Sequence, residues 1–401
     1  MTESAPTRTA ANQPSHDAPL GGLRVLDLTR VLAGPFAARM LCDLGADVVK
    51  VEPPEGDVTR HFGLRRGQQT GYYAQQNAGK RNICIDLTKP GGTDLVRLLA
   101  DQADVVLENF RPGVLARYGL DYASLSADHR ALIMVSISGF GQDGPESQRA
   151  AYAGILHAES GWLHRQSRSA GAPPADSQLS VADTTSGMHG LIGMFAALRV
   201  RDATGVGQHV DIAMADALAV VDDYAQWALD GVENAPHGGG DVWDAPGGPI
   251  IVMGDFKWVW KCANEILGLA DPTPPGADIA TKIALRRGAW ATYLGSFATQ
   301  DEALAALDRA NLAWGLIKTP VQALDSPTLQ HRNSIVEIDD RDGGTRRIIQ
   351  SPYRFSESTS EVRGPAPLRG EHNRDVLGDW LGLQGDDVDQ WSNAGVLLSE
   401  A

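Results

Sequence analysis

Cysteine is scarce in this sequence: the 401 residues include three cysteines, and none of them forms a CxxC pair. We therefore expect neither a disulfide framework nor a cysteine-ligated zinc site. Long apolar runs are missing as well, so no segment is predicted to cross a bilayer. Residues 1–20 are rich in Ser, Thr, Pro and Ala, without the apolar core of a secretory signal, and predict a flexible tail. These absences predict a cytoplasmic protein without a membrane partner.

Positive charge is also in deficit. Lys and Arg total 35 against 50 acidic residues, which gives a formal net charge of -15. This overall field repels nucleic acids and anionic membranes, so neither is an expected partner. Basic residues still cluster locally, at Arg60 with Arg65-Arg66 and at Lys80-Arg81, where they could hold a small polyanionic ligand.

The first half of the chain alternates between patterns of buried strands and amphipathic helices. Strands are predicted at residues 23–28, 48–52, 83–87, 105–108, 132–137 and 209–214. Short crossovers of this kind predict a parallel, doubly wound α/β sheet. The loop after the first strand, residues 29–35, lies where open α/β sheets bind ligands. It lacks the GxGxxG fingerprint, which disfavours a nicotinamide enzyme.

The second half of the chain differs in composition and in its predicted order of strands and helices. A long helix is predicted over residues 215–230. The Gly- and Pro-rich stretch at 234–248 predicts a mobile loop, which is equally consistent with a substrate flap and with a plain linker. Further elements are a strand at 250–253, helices at 257–267, 282–297 and 300–311, a hairpin around 342–344, and helices at 373–381 and 388–397. Residues 222–330 therefore predict a second, smaller domain.

Asp183 lies at or near the start of a predicted helix. The apolar face of this helix is predicted from the spacing of Met188, Leu191, Phe195 and Leu198. Asp is a preferred N-cap residue, and residue type alone favours that role. A carboxylate can also act as a covalent nucleophile that attacks an activated acyl group and forms a mixed anhydride.

Glycine recurs at every third position along the same helix, at Gly187, Gly190 and Gly193. Each glycine costs about 1 kcal/mol of helix stability relative to alanine. Because glycine has no side chain, this spacing predicts that another backbone or a ligand approaches the helix closely.

Several short motifs occur in a fixed order along the chain. They are GLRVLD at 22–27, AGP at 33–35, LGADVVKVE at 44–52, KRN at 80–82, ENFRPG at 108–113, SGFG at 138–141, GVGQ at 205–208 and GEH at 370–372. With these motifs the chain resembles the family III coenzyme A transferases, a superfamily that includes formyl-CoA transferase, carnitine CoA-transferase and α-methylacyl-CoA racemase. The resemblance runs from about Gly22 to the end, and it is strongest to the transferase branch.

The resemblance implies a fold and an assembly. A Rossmann-like large domain that binds CoA would occupy residues 21–221 and a small α/β domain residues 222–330, while residues 331–401 would return to the large domain. Two such chains would form an interlocked homodimer of threaded rings, with the active site at the subunit interface. CoA and its acyl thioester would be substrates, without a tightly bound cofactor or a metal.

The resemblance also implies a mechanism. Asp183 matches the aspartate that attacks the acyl-CoA thioester in the transferases, and the resulting mixed anhydride passes through further exchange to an acceptor carboxylic acid. The CoA contacts implied by the motifs are Leu32, Ala33, Ile85, Asp86, Leu87, Thr88, Asn109, Phe110, Arg111, Arg117, Ser138 and Gly139. A glycine-rich substrate loop would correspond to Gly238, Gly239 and Gly240.

The sequence departs from formyl-CoA transferase at two places, and there the residue roles of that enzyme do not carry over to this chain. That enzyme has a glutamine at the position of Leu32, and its glycine-rich loop is longer than the one in this chain. Two alternatives also remain open. A racemase would need the His-Asp dipeptide that here aligns with Tyr152-Ala153, although His157 lies one helical turn further on. The chain could also be one subunit of a hetero-oligomeric transferase. The sequence identifies neither the acyl donor nor the acceptor.

Overall fold

The structure, a computed structural model, describes residues 17–232 and 239–400. The strands are β1 (Arg24–Asp27), β2 (Asp47–Glu52), β3 (Arg65–Arg66), β4 (Gln69–Thr70), β5 (Arg81–Cys84), β6 (Val105–Glu108), β7 (Ile133–Ser138), β8 (His209–Ala213), β9 (Asp241–Trp243), β10 (Ile250–Val252), β11 (Trp314–Leu316), β12 (Ile335–Asp339) and β13 (Thr345–Ile349). Most of the tail predicted over residues 1–20 lies outside the described residues.

Helices connect these strands. They are α1 (Ala33–Asp43), α2 (Gly71–Asn77), α3 (Gly92–Gln102), α4 (Tyr122–Ser126), α5 (Ala153–Glu159), α6 (Trp162–Ala170), α7 (Val181–Thr204), α8 (Met214–Val221), α9 (Ala225–Leu229), α10 (Phe256–Glu265), α11 (Ile279–Gly295), α12 (Gln300–Arg309), α13 (Pro320–Leu324), α14 (Pro327–His331), α15 (Asn373–Leu381) and α16 (Asp386–Asn393). Short 3-10 helices cover Val58–His61 and Leu115–Tyr118. Within the described residues, no helix is both long and apolar enough to span a bilayer.

The chain divides into two compact units. One unit comprises the chain up to Ala225 together with the chain from Arg332 onward, and the other is Gln226–His331. The first unit is built on a six-stranded sheet in the order β5-β2-β1-β6-β7-β8. Every neighbouring pair in this sheet is parallel. The predicted parallel α/β fold is therefore confirmed.

Successive residues of the central strands point to opposite faces of the sheet. Val25 and Val105 face a core that includes residues of α1, α5, α7 and α8. Leu26 and Val106 face a second core, which includes residues of α3, α15 and α16. Helices therefore cover both faces, and the C-terminal helices α15 and α16 close the second one.

The second unit has its own core. Its three-stranded sheet, in the order β11-β10-β9, is antiparallel. Trp260 of α10 and Trp290 of α11 are buried against Ile250 and Val252 of the central strand. The strand β9 corrects the prediction of a loop over 234–248, because residues 241–243 pair with β10. Of the three predicted loop glycines, Gly238 lies outside the described residues.

Two helix predictions are wrong in their extent. The helix expected over 215–230 ends at Val221 and resumes as α9, because Asp222 forms a turn in which its carboxylate accepts the Tyr224 N–H at 3.0 Å. The helix expected over 388–397 is α16, which begins earlier and ends at Asn393. Five helices, α2, α4, α6, α13 and α14, were not predicted; each is nine residues or shorter.

The predicted apolar face of α7 is only partly correct. Leu191 and Leu198 are buried in the first core as expected. Met188 and Phe195 are instead exposed by 47% and 38% in the single chain, and Ile192 between them is exposed by 63%. These three residues form an apolar strip along one side of the helix because they are spaced by three or four positions.

Candidate active site

The loops after β1 and β6 lie side by side where the strand order reverses. From β1 the sheet grows to β2 and β5 on one side, and from β6 to β7 and β8 on the other. Such a switch point leaves a crevice outside the carboxyl ends of the strands. Asn109 joins the two loops: its Oδ1 accepts the Arg30 N–H at 2.9 Å, and its Nδ2 donates to the Arg30 carbonyl at 2.8 Å.

The loop after β1 contains a strained residue. Val31 has a φ of 69°, in the left-handed region that a β-branched residue rarely adopts. The Asp57 carboxylate accepts its N–H at 3.2 Å, and the Lys50 ammonium donates to the Thr29 carbonyl at 2.7 Å. Lys50 Nζ is also 3.1 Å from Asp57 Oδ2, and both side chains are buried. A buried ion pair therefore holds the loop in a conformation that its sequence does not favour.

Two predicted anion-binding clusters are wrong in part, because Lys80 and Arg60 are used internally. Lys80 is buried, and its Nζ donates to Asp27 Oδ2 at 2.9 Å and to the Pro35 carbonyl at 3.1 Å. Burial lowers the pKa of Lys80 to about 8, although Asp27 opposes the shift. Arg60 pairs with Glu52 through Nε at 2.8 Å. These cations secure the framework beneath the crevice and do not face a ligand.

Asp183 lies in the first turn of α7 and is not its N-cap. The N-cap is Ser180, whose side chain makes no capping hydrogen bond. The Asp183 carboxyl is half-buried, and burial raises its pKa to about 6. Backbone hydrogen bonds from Ala33 and from the N–H of Asp183 itself, and the nearby imidazole of His157, act in the opposite direction. The acidic side chain therefore meets the loop after β1 at the first residue of α1.

Glycine allows α7 to approach α1. A Cβ at Gly187, one turn beyond Asp183, would lie 2.7 Å from the Ala33 carbonyl oxygen and 2.9 Å from Phe36 Cδ1. A Cβ at Gly193 would lie 2.6 Å from Cγ1 of Val210. The predicted close approach along the glycine positions is confirmed, and it keeps Asp183 beside Ala33.

Tyr72 is a site residue that the sequence did not suggest. Burial, together with the nearby charges of Asp183 and Asp57, raises the pKa of its phenol to about 12. The phenol therefore stays protonated and can donate a hydrogen bond near the Asp183 carboxyl. Tyr72 lies on α2, which was not predicted. The signal for that helix was its N-cap, Thr70, whose side chain accepts the Tyr73 N–H.

The histidine considered for proton transfer is not available for it. His157 is 1% exposed, its Nδ1 is 3.1 Å from Asp176 Oδ1, and its Nε2 accepts the Ala182 N–H at 3.2 Å. Tyr152, at the position where a racemase would have histidine, is 65% exposed. With both ring nitrogens engaged, His157 has no nitrogen left to take up a substrate proton.

The other CoA contacts implied by the resemblance fall in two regions. Leu32 and Ala33 begin α1, and Asn109 and Phe110 follow β6, so the switch point brings them together. Residues 85–88 follow β5 at the edge of the sheet. There Ile85 is buried and bridges Leu397, Asp86 donates its N–H to the Val396 carbonyl, and Thr88 donates its hydroxyl to Asp86.

The remaining predicted residues differ in exposure. Arg111 and Arg117 are exposed. Ser138 ends β7, and its buried Oγ has no hydrogen-bond partner within the described part of the chain. A Cβ at Gly139 would clash with Ala151, and a Cβ at Gly240, in the second unit, would clash with the Val252 carbonyl. No cluster of three or more metal-ligating side chains occurs within residues 17–232 and 239–400.

Glu108, the last residue of β6, is buried next to Asn109, the residue that bonds to the Arg30 backbone. Burial raises the pKa of its carboxyl to about 7, although hydrogen bonds from Ser136 and the Phe110 backbone oppose the shift. The Phe110 N–H donates to its Oε2 at 2.8 Å. Glu108 and Arg111 line a cavity of about 40 Å³ together with Ser136 and His209, whose Oγ and Nε2 are 2.8 Å apart.

Comparisons with known proteins agree with the motifs. A family model described as CoA-transferase family III matches residues 20–373. The chain is 34% identical over 392 residues to the succinate–glutarate CoA-transferase of Agrobacterium fabrum, covering 92% of this chain and 97% of that protein. It is 30% identical over 390 residues to the β subunit of the succinyl-CoA–L-malate CoA-transferase of Chloroflexus aurantiacus, covering 91% and 95%. A solved CaiB/BaiF family protein from Brucella suis matches with a TM-score of 0.78 and 30% identity, covering 91% of this chain and 100% of that one.

Replacing Glu108 with glutamine should stabilise the protein at alkaline pH. Below pH 4.5 the carboxyl is protonated in both the folded and the unfolded chain, so the two proteins should unfold alike. As the pH rises from about 4.5 to about 7, the unfolded carboxyl ionises while the folded one stays protonated, so the wild type loses stability that the variant keeps, and the difference levels off above pH 7. Glu108→Gln should gain up to about 3 kcal/mol at pH 8. Urea unfolding at pH 4.5 and pH 8 measures this difference.

The same substitution at exposed Glu55 is the matched control and should change stability little at either pH. A Glu108→Gln protein that gains no stability between these pH values would contradict the assignment of a raised pKa.

Proposed function

The chain belongs to CoA-transferase family III and is a CoA-transferase, and on that premise we propose that it transfers CoA between carboxylic acids through covalent intermediates on Asp183. The observation that carries the proposal is the place of this carboxyl. It is half-buried at the start of α7 and meets Ala33 at the switch-point crevice. A carboxylate held in this way can attack an activated acyl group.

Each of the four proposed steps is an acyl substitution that forms one bond and breaks another. A carboxylate oxygen of Asp183 attacks the thioester carbon of the donor, the C–S bond breaks, and CoA leaves as the thiolate. The thiolate then attacks the aspartyl carbon of the mixed anhydride and releases the donor acid, which leaves an aspartyl-CoA thioester. The acceptor carboxylate attacks this thioester, the aspartyl C–S bond breaks, and CoA leaves again as the thiolate, which gives a second mixed anhydride. Attack of the thiolate on its acyl carbon gives the new acyl-CoA and regenerates Asp183.

The surroundings of Asp183 suit this chemistry. Burial raises the pKa of the carboxyl to about 6, so most of it is ionised at neutral pH while it is only partly hydrated. Each tetrahedral intermediate carries an oxyanion, which hydrogen-bond donors fixed beforehand stabilise. The Tyr72 hydroxyl is a donor near the carboxyl, since its pKa of about 12 keeps it protonated. Transfer is preferred to proton exchange in this proposal because His157, the residue considered as a second base, has both ring nitrogens engaged.

CoA binding is proposed at the same crevice. Leu32, Ala33, Asn109 and Phe110 would contact the thioester end. Ala33 lies next to Asp183, and Asn109 bonds to the Arg30 backbone in the same loop. The exposed guanidinium of Arg111, which follows them, suits the phosphates, since arginine matches phosphate oxygens in a bidentate geometry. The other implied contacts, residues 85–88, Arg117, Ser138 and Gly139, belong to the same proposal and would form the remainder of the CoA site.

The proposed assembly is a homodimer. The apolar strip of Met188, Ile192 and Phe195 supports it, because a strip of this kind on a catalytic helix is costly to leave in water. The relative that is named as a β subunit raises the alternative of a hetero-oligomer.

The relatives are named for succinate, glutarate and L-malate, so short dicarboxylic acids are the first acceptors to test, with their CoA thioesters as donors.

Native mass spectrometry tests the proposed partners together. The purified chain should appear as a dimer, and added CoA should increase its mass by one CoA per subunit. Arg111→Ala should weaken CoA binding about tenfold, because one charge-assisted contact to phosphate is lost. A monomer that binds CoA fully, or an Arg111→Ala protein with unchanged affinity, would contradict the respective part of the proposal. Exposed Arg199, which lies on α7, provides the control substitution.

Asp183→Ala should abolish CoA transfer, because the carboxylate is a reactant in every step. The measurement is mass spectrometry of a panel of acyl-CoA donors and free acids, with hydroxylamine added to trap the acylated aspartate as a hydroxamate on the peptide that contains residue 183. Asp202→Ala, at the exposed far end of the same helix, is the matched control and should remain active. Full transfer by a folded Asp183→Ala protein would refute the covalent mechanism.

The rate of the first half-reaction should depend on the ionisation of Asp183. With a pKa of about 6, the rate of adduct formation should fall about tenfold per pH unit below that value and level off above pH 7. Single-turnover measurements from about pH 5 to pH 8 record this profile. An acidic limb centred near pH 4, the ordinary value for aspartate, would show that burial does not tune the nucleophile.

A further inference from the structure

The first turn of α7 lacks the local cap that usually begins a helix. The N-cap residue, Ser180, has a hydroxyl that could accept an N–H of the first turn, but it makes no such bond. The N–H of Ala182 donates instead to Nε2 of His157 at 3.2 Å. The first N–H groups of a helix have no partner within it, so an outside acceptor decides how the turn is fixed. The residue that follows Ala182 is Asp183.

His157 reaches this position from a different helix, α5. Its ring is buried, and Trp162 packs edge-on against it with the ring centroids 4.6 Å apart. Nε2 accepts the Ala182 N–H, so it carries the lone pair. The proton of the neutral ring is therefore on Nδ1, which lies 3.1 Å from Asp176 Oδ1 and donates to it. The carboxylate of Asp176 thus selects the tautomer that can cap α7.

The chain also makes room for this carboxylate. A Cβ at Gly154 of α5 would lie 2.5 Å from Asp176 Oδ2. Asp176 can reach His157 because residue 154 has no side chain. The contact between α5 and the segment before α7 therefore depends on Gly154 and His157, one turn apart on α5, and on Asp176, 19 positions after His157.

We propose that His157, oriented by Asp176, is a positioning residue for the CoA transfer: it fixes the first turn of α7 and with it the direction of the Asp183 carboxylate. The inference rests on the proposed role of Asp183. A serine cap would satisfy one N–H within the local chain, whereas the imidazole also ties the turn to α5. Attack on a thioester carbon requires an oriented oxygen, and a small misplacement of the attacking group slows such a step strongly.

Three substitutions and one control test the inference by steady-state kinetics. His157→Leu removes the acceptor and should lower kcat about 10- to 100-fold, while KM for the acyl-CoA changes less than about threefold. His157→Gln should recover most of kcat, because its amide oxygen can accept the Ala182 N–H while its NH2 group donates to Asp176. Gly154→Ala should lower kcat by displacing Asp176. His164→Leu, at an exposed histidine of α6, should match the wild type.

A spectroscopic measurement tests the same geometry without relying on activity. In protein labelled with 15N-histidine, His157 should show a protonated Nδ1 and an unprotonated Nε2 at pH 7. Gly154→Ala should disturb this signature, and His164→Leu should leave it unchanged. A protonated Nε2 in the resting protein would overturn the inference, because that nitrogen could not accept the Ala182 N–H.

The outcomes separate this inference from the proposed function. If no donor and acceptor pair gives CoA transfer by the wild type, the proposed function fails, and the NMR signature still reports on the cap. If the wild type is active and Asp183→Ala is not, a His157→Leu protein with full kcat overturns the positioning role. A folded His157→Gln protein that is as slow as His157→Leu also overturns it, since the retained hydrogen bonds would then be without effect.

Discussion

The buried ion pair of Lys50 and Asp57 is the constraint on which the active site depends. Removing one partner would leave the other charge buried without compensation, at a cost of about 3–5 kcal/mol, so the two are retained together. Both groups act on the backbone of the loop after β1, through Thr29 and Val31. A strained loop conformation costs about 1–3 kcal/mol. The ion pair can offset this cost. The loop leads into α1, where the backbone of Ala33 forms a hydrogen bond to the Asp183 carboxyl.

Four carboxyl groups near the switch point differ in their charge environment. Burial opposes the charge of Asp27 and Asp57, but the nearby lysines hold the pKa of both below the usual range. Glu108 and Asp183 have no lysine or arginine partner among the causes of their shifts, and burial raises the pKa of both. Paired carboxylates therefore build the framework, and the unpaired ones can change protonation or react. Environment assigns these roles, because the side chains are chemically alike.

The strands and helices that could be predicted are those whose pattern lies within a short stretch of neighbouring residues. The alternation of strands and helices was enough for the parallel sheet, because strands such as β6 and β7 begin with apolar runs, VVL and IMV. It failed for Lys80, which was expected to face a ligand, because its partner Asp27 lies 53 positions away and only the paired strands bring them together. The same limit applies to His157 and Tyr72, whose relation to Asp183 is made by the packing of separate helices. Asp183 itself was identified from the motifs and not from its spacing.

The start of α7 shows why capping and catalysis are better divided between residues. An aspartate at the N-cap has its carboxylate occupied by N–H groups of the first turn, which lowers its pKa and directs its lone pairs into the helix. Asp183 lies three positions further on, and the N–H of Ala182 is satisfied by His157. The N–H of Ala182 therefore does not compete for the Asp183 carboxylate. This carboxylate stays near the positive end of the helix dipole, and the N–H groups of Ala33 and of Asp183 itself also favour its ionised form. Burial works against that ionisation, and the net pKa of about 6 leaves the group charged at neutral pH yet weakly solvated. The proposed nucleophile needs both properties, and an N–H acceptor on α5 leaves the Asp183 carboxylate able to combine them.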